Sequence, residues 1–172
     1  MKKRLSFLGA ITLLGTSTTS LVACNNIPQY NEDELQQLKQ ENQICTNCKE
    51  IKEKLEWIAP QEKPFNTVDN KYYYVVWRGD KNEEWKITKF QNNNKNNINY
   101  EIDIQNRVNF VSSLMNVKDL FITDSPSRVK STKYWNDDNG TYFKAVYRWN
   151  GGEENLPDLI IDNNGNVKVN GE

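Results

Sequence analysis

The sequence predicts an α+β fold, an N-terminal amphipathic helix followed by a mainly antiparallel β-sheet domain of about six to eight strands. Three observations carry this expectation. Apolar residues recur at helical spacing up to Ile58; aromatic and β-branched runs alternate with polar residues from Tyr72 onward; and Gly, Pro and Asn punctuate those runs at short intervals. The 172 residues suit one domain with a short preface.

The chain opens on a basic start, Met1-Lys2-Lys3-Arg4, followed by an uncharged run of apolar and small residues from Leu5 to Val22. This is the layout of an export signal. A run of this length could also reach across a bilayer, but its Gly15-Thr16-Ser17-Thr18-Thr19-Ser20 centre argues against a retained span. The run ends in Leu21-Val22-Ala23-Cys24, which resembles the lipobox of bacterial lipoproteins. That resemblance implies a signal peptide over residues 1–23, cleavage before Cys24, a diacylglyceryl group on the Cys24 sulfur, and acylation of the new amino terminus. By the same resemblance Cys24 is the lipidation site; one acyl chain would bind a membrane marginally and two would hold firmly.

The leader, from Met1-Lys2-Lys3 through Leu8-Gly9-Ala10-Ile11-Thr12-Leu13 to Cys24-Asn25, is similar to that of spiroplasma surface lipoproteins. The distal stretch from Asn139 to Gly151 resembles a group of uncharacterised lipoproteins from the same bacteria. The resemblance implies a cell-membrane protein, lipid-anchored on the extracellular face, and transfers no functional residue beyond Cys24. An AT-rich genome would also account for the 25 asparagines.

Residues 24–31, polar and broken by Pro28, read as a tether. Glu32-Asp33-Glu34 then opens a helix predicted over 32–58, its acids complementing the helix dipole. The stripe Leu35, Leu38, Ile44, Cys48, Ile51, Leu55 and Ile58 suits a coiled coil, an interfacial helix or a helix packed on its own sheet. Two heptads are short for the first and basic flanks are few for the second, so packing on the sheet is preferred.

Pro60 and Pro64 end this preface, and residues 65–172 are expected to form the antiparallel domain. Tyr72–Trp77, apolar on both faces, is expected as a central strand with Glu84–Phe90 as its partner. The Asn-rich run 92–97 reads as a loop. Ile98–Ile104 alternates as a half-buried strand, and Val108, Val111, Leu114 and Met115 suit a short helix between 106 and 116, with a strand as the alternative. A strand at 118–123 follows. Asn139-Gly140 predicts a hairpin between 129–136 and 141–149, placing Phe143, Ala145, Tyr147 and Trp149 on one face; Asn163-Asn164-Gly165 predicts a last one between 159–161 and 167–169.

The chemistry open to the chain is bounded by its lack of histidine, which removes Ser-His-Asp triads, Cys-His dyads and HExxH zinc sites. Without its leader the chain keeps 19 basic and 23 acidic residues, and no basic stripe is visible, so nucleic acid is not an expected partner. Cys45-Thr46-Asn47-Cys48 is a CxxC pair, but no strand precedes it as in thioredoxin-like sites, and two thiols alone do not make a zinc centre. Cys45 and Cys48 are therefore read as a local disulfide or as unpaired thiols.

Arg78-Gly79-Asp80 matches the integrin-ligand tripeptide at an expected turn, although Gly and Asp are ordinary turn residues. Asp162-Asn163-Asn164-Gly165-Asn166 resembles the start of a calcium loop, with its glycine misplaced for one, and is better read as a turn. The acid pairs Glu83-Glu84, Asp137-Asp138 and Glu153-Glu154 occur in a chain with Trp77, Trp85, Trp135 and Trp149, which raises carbohydrate hydrolysis, though nothing selects one pair. The expectation is a surface lipoprotein whose ectodomain is a non-enzymatic interaction or structural module without a cofactor or metal. Its partners would be the membrane, through the anchor, and other surface or host proteins. The alternative is a small-ligand-binding or hydrolytic exported protein using the aromatic face of the sheet.

Overall fold

The run Tyr72-Tyr73-Tyr74-Val75-Val76-Trp77 has no polar face to turn to water, and the computed structural model places it inside a sheet covered on both sides. The structure describes residues 29–93, 100–101, 108–111, 119–122 and 132–172. In chain order the elements are α1 (Glu32–Glu41), α2 (Lys49–Lys54), β1 (Leu55–Trp57), β2 (Tyr72–Trp77), β3 (Lys86–Gln91), β4 (Tyr100–Glu101), β5 (Val108–Val111), β6 (Asp119–Ile122), β7 (Lys133–Tyr134), β8 (Phe143–Trp149), β9 (Leu159–Ile161) and β10 (Val167–Val169). Single turns of 3-10 helix occupy Pro60–Glu62, Pro64–Asn66, Trp135–Asp137 and Glu153–Asn155.

The architecture is mainly antiparallel sheet with few helices. A central sheet has the order β1-β8-β2-β3, a second β4-β5-β6-β7, and β9 and β10 form a hairpin. Among the described residues the strands number ten, against about six to eight expected, because two-residue pieces such as β4 and β7 complete the second sheet.

One face of the central sheet buries Tyr73, Val75 and Trp77 against Phe65, Leu120, Ile122 and Trp135. The rings interlock: Phe65 and Tyr73 lie 5.0 Å apart, and Tyr73 stacks on Phe90 at 5.6 Å. The other face buries Tyr74, Val76, Tyr147 and Trp149 beneath Ile44, Ile51, Leu159 and Val167. Fully burying such side chains stabilises by roughly 1.5–3 kcal/mol each. The sequence placed Phe143 with Ala145, Tyr147 and Trp149; Phe143 instead belongs to the first face, because the register shifts at Val76/Trp77.

The N-terminal helix begins where expected. The Asn31 side chain accepts from the Glu34 N–H while the Glu34 carboxylate accepts from the Asn31 N–H, a reciprocal cap. It does not run to Ile58: the chain leaves the helix at Asn42 and passes through an extended strap into α2 and β1. The β-branched Ile44 and Thr46, together with Asn42 and Asn47, favour this exit. Tertiary contacts hold it. Ile44 is buried, Gln43 Nε2 donates to the Lys52 carbonyl, and Thr46 Oγ1 accepts from the Cys48 N–H while donating to the Glu172 carboxylate. Leu55–Trp57 then exchanges helical bonds for a ladder with Tyr147–Trp149, so the sheet starts within the expected helix and before residue 65.

Two further corrections concern the second sheet. Val108–Val111 is a strand between β4 and β6, the alternative to the expected helix over 106–116. The expected 129–136/141–149 hairpin does not form: β7 pairs with β6, and β8 with β1 and β2. Here the Asp138 carboxylate accepts the N–H groups of Gly140, Tyr142 and Phe143, reorienting the chain instead of returning it onto its neighbour. The strand expected at 98–104 is described only at Tyr100–Glu101, and most of the Asn-rich loop 92–97 lies outside the described residues. β3, Lys86–Gln91, covers most of the expected 84–90 strand, and the final hairpin forms between the expected strands, with Leu159 opposite Val169.

Gly165, at φ +76, turns that hairpin, and a Cβ there would come within 2.7 Å of the Trp85 ring; Gly140, at φ +86, has open space. Gly140→Ala should therefore lose about 1 kcal/mol from left-handed backbone strain. Gly165→Ala should lose roughly 2–4 kcal/mol, because ring overlap adds to the same strain. Urea unfolding of both variants checks the difference; equal losses would show that Trp85 yields freely.

Candidate functional site

Register brings charged side chains into one row across the first face of the central sheet: Glu56 lies opposite Arg148, and Arg148 opposite Tyr73. Arg148 Nη2 donates to Glu56 Oε2 at 2.7 Å, Asn150 Nδ2 to the same oxygen at 3.0 Å, and Lys39 Nζ to Oε1 at 2.6 Å. Lys39 also reaches Glu62 Oε2 at 2.6 Å, and Glu62 Oε1 accepts from the Ala59 N–H. Tyr73 OH donates to Asp69, which also receives the buried Asn92 amide. Burial alone would raise the Glu56 pKa, but the bonds from Lys39, Arg148 and Asn150 outweigh it and hold the group at about 2. Every carboxylate oxygen here is engaged by protein donors, so the row joins α1 to the sheet. Sequence reading missed it, although charged residues inside the apolar runs Leu55–Trp57 and Tyr147–Trp149 are its signal.

A groove of about 280 Å³ lies between the strap and the β9–β10 turn, lined by Ile44, Cys45, Lys144, Tyr147, Asp162 and Lys168 among others. Its volume is just under the usual range of about 300–1,000 Å³ for small-molecule pockets. Its charged groups are engaged: Lys144 Nζ donates to the Asn164 carbonyl, and Lys168 lies 3.7 Å from Asp162. Cys45 is exposed beside this groove, while Cys48 caps α2 half-buried, and the two thiols are not bridged. Asp162 holds the Asn164 and Asn166 N–H groups at 2.9 Å each. The Asn166 N–H chiefly keeps its pKa below the ordinary value, so the calcium-like stretch is a turn ordered by its own acid. Among the described residues no cluster of three His, Cys, Asp or Glu could hold a metal ion.

Arg78-Gly79-Asp80 follows β2 directly. The Arg78 guanidinium covers the Trp85 ring at 4.4 Å and its Nε donates to the Thr141 carbonyl at 2.6 Å, while Asp80 accepts from the Asn82 N–H. Gly79 is buried and Arg78 half-buried, its side chain folded onto the domain by these contacts.

Trp77, Trp135 and Trp149 are buried in the core, and Trp85 lies between Arg78 and Lys144. Of the acid pairs, Glu83 bridges to Lys86, Asp138 binds three backbone N–H groups, and Glu153 accepts from Tyr72 OH. None of these pairs lines the groove between the strap and the β9–β10 turn. Asp119 is buried at the start of β6, and its carboxylate accepts from the N–H groups of Leu120 and Asn136. Burial pushes its pKa up to about 7 against the pull of those two bonds. An acid directly before Leu120-Phe121-Ile122 was its sequence signal.

Two pH dependences follow, of opposite sign. Glu56 has a depressed pKa, so its contribution is full above about 4.5 and is lost as pH falls toward 2. Glu56→Gln should destabilise by about 1–3 kcal/mol at pH 7 and converge on the parent near pH 2. Asp119 has a raised pKa, so between 3.8 and about 7 the folded state holds the extra proton and stability falls as pH rises. Asp119→Asn should flatten that slope, by on the order of 3 kcal/mol between pH 4 and 8, whatever its uniform cost. Denaturation midpoints across pH measure both, and parallel parent and variant curves would refute either assignment.

Cys24 lies outside the described residues. Among those described, no helix is long and apolar enough to cross a membrane. No protein-family model matches the chain, and no solved structure does. A curated relative is an uncharacterised protein, ORF1, of the Spiroplasma virus SpV1-R8A2 B, 28% identical over 99 residues. That stretch is 58% of this chain and 9% of the relative, so only a small part of the viral protein is shared. The match carries no activity with it; it is loosely consistent with a spiroplasma-related origin and does not bear on the lipoprotein resemblance.

Proposed function

We propose that the protein is a lipoprotein anchored through Cys24 on the extracellular face of a bacterial cell membrane, and that its folded part is an interaction or structural module rather than an enzyme. The observation that carries this reading is Leu21-Val22-Ala23-Cys24, placed behind a basic start and an uncharged apolar run. The folded part favours the second half of the reading through the use it makes of its reactive groups. Glu56, Asp69, Asp138 and Asp162 all accept bonds from the chain that folds around them, and three tryptophans fill the core. Groups committed to holding strands and turns are poor candidates for binding and releasing a substrate. Other surface or host proteins are the partners consistent with a small, mixed-charge ectodomain.

The test is Cys24→Ser in a bacterial host that processes lipoproteins. The parent should enter the detergent phase on phase separation and incorporate labelled fatty acid; the variant should retain its leader and take up no label. Labelling and cleavage unchanged by the substitution would overturn the anchor.

A further inference from the structure

We propose that the anchored protein has a fixed sidedness: the β1 edge of the central sheet, with α1 beside it, faces the lipid headgroups, and the β3 edge faces away from the membrane. This rests on the lipid attachment at Cys24 proposed above. The chain is fastened to the domain immediately after the tether. The Tyr30 N–H donates to Gln61 Oε1 at 2.6 Å, and Gln61 Nε2 donates back to the Tyr30 carbonyl at 2.8 Å. Gln61 belongs to the Pro60–Glu62 turn that follows β1, and Glu62 of that turn joins Glu56 of β1 in gripping Lys39 of α1. Residue 30 is therefore fixed on the β1 side, and β3 is the opposite edge of the same sheet.

Length then limits what can touch lipid. The six residues from Cys24 to Tyr30 span at most about 20 Å when fully extended. A domain of roughly 140 residues has a radius of gyration of about 14 Å, which gives an equivalent sphere of about 19 Å radius. The lipid slides freely in the plane, so the tether limits only the height of Tyr30 above the bilayer; a quarter roll lifts that point by about 19 Å and uses the whole tether, so only the hemisphere around Tyr30 can be rolled onto the bilayer. Residues 25–29 carry no charge, while α1 carries Glu32, Asp33, Glu34 and Glu41. Those acids keep α1 over the headgroups and out of the hydrocarbon.

The test uses the full lipidated chain with Cys45→Ser and Cys48→Ser, in which the Cys24 sulfur is blocked by its lipid. A dye is placed through Gln36→Cys on α1 or Lys89→Cys on β3, both exposed positions. Each sample is reconstituted into phosphatidylcholine–phosphatidylglycerol vesicles with or without headgroup-nitroxide lipid, and vesicle flotation is measured on the same sample. The dye at position 36 should be quenched severalfold more than the dye at position 89. Inserting about 24 Gly/Ser residues between Ile27 and Pro28 should bring the two toward equality, because the lengthened tether no longer restricts rolling. Equal or reversed quenching in floating vesicles carrying the short tether would overturn the orientation alone. Failure to float would remove the anchor, and the orientation with it.

Discussion

The constraint on which the rest of the fold depends is that β2 has no face it can give to water. Tyr73, Val75 and Trp77 point one way and Tyr74 and Val76 the other, all of them buried. A strand of this kind requires two covering layers, and a chain of this length has to assemble them from what lies on either side of it. One cover is the second sheet with Phe65 and Trp135; the other is the strap, α2 and the terminal hairpin. This explains why a segment with helical periodicity is partly unwound. Ile44, Ile51 and Leu55 reach the second face and Ile58 the first, a division that a continuous helix lying on one side of the sheet could not make.

Covering both faces also brings polar rows inside, and the structure meets this in two different ways. Glu56 is surrounded by two cations and an amide, so its charge is favoured in place despite burial. Asp119 has two backbone donors and no cation among its principal influences, and Asp137 adds repulsion, so burial prevails. The contrast follows from solvation: a buried carboxylate stays charged where opposite charges replace lost water, and takes up a proton where neutral donors alone do so. Both groups tie elements together, Glu56 joining β1, β8 and α1, and Asp119 joining β6 to the turn at Trp135–Asp137. Their titrations act in opposition, one removing stability as pH falls and the other as pH rises.

Features set by neighbours in sequence were legible. The acids that open α1 are contiguous, the terminal hairpin depends on a five-residue turn, and the centrality of β2 on its own composition. Features set by distant partners were not. Asn139-Gly140 carries a strong local hairpin signal, yet β8 is claimed by β1 and β2, whose apolar faces offer more burial than Lys133–Tyr134 could. The strap that follows α1 is tied at Thr46 to Glu172, 126 residues away in sequence, and no periodicity within the expected helix reports such a contact. The same division holds for the charged row. Glu56 and Arg148 each interrupt an apolar strand visibly, but their pairing is a matter of register, which appears only once β1 and β8 are side by side.

These dependences are unequal in strength, and α1 is the weakest of them. None of its residues is fully buried, so its attachment draws on half-buried Leu35 and Leu38 and on Lys39 held between Glu56 and Glu62. Partly exposed ion pairs contribute modestly and are screened by salt, whereas the two apolar clusters behind them are not. Opening of the domain should therefore begin at α1, while β2 and β8 remain paired until global unfolding. The Tyr30–Gln61 clamp works against that order, because it fastens the chain to the turn after β1 ahead of the helix rather than behind it. A pull arriving from the N-terminal side thus meets the 60–62 turn before it meets α1. A helix too lightly packed to bear load is in this way spared from bearing it.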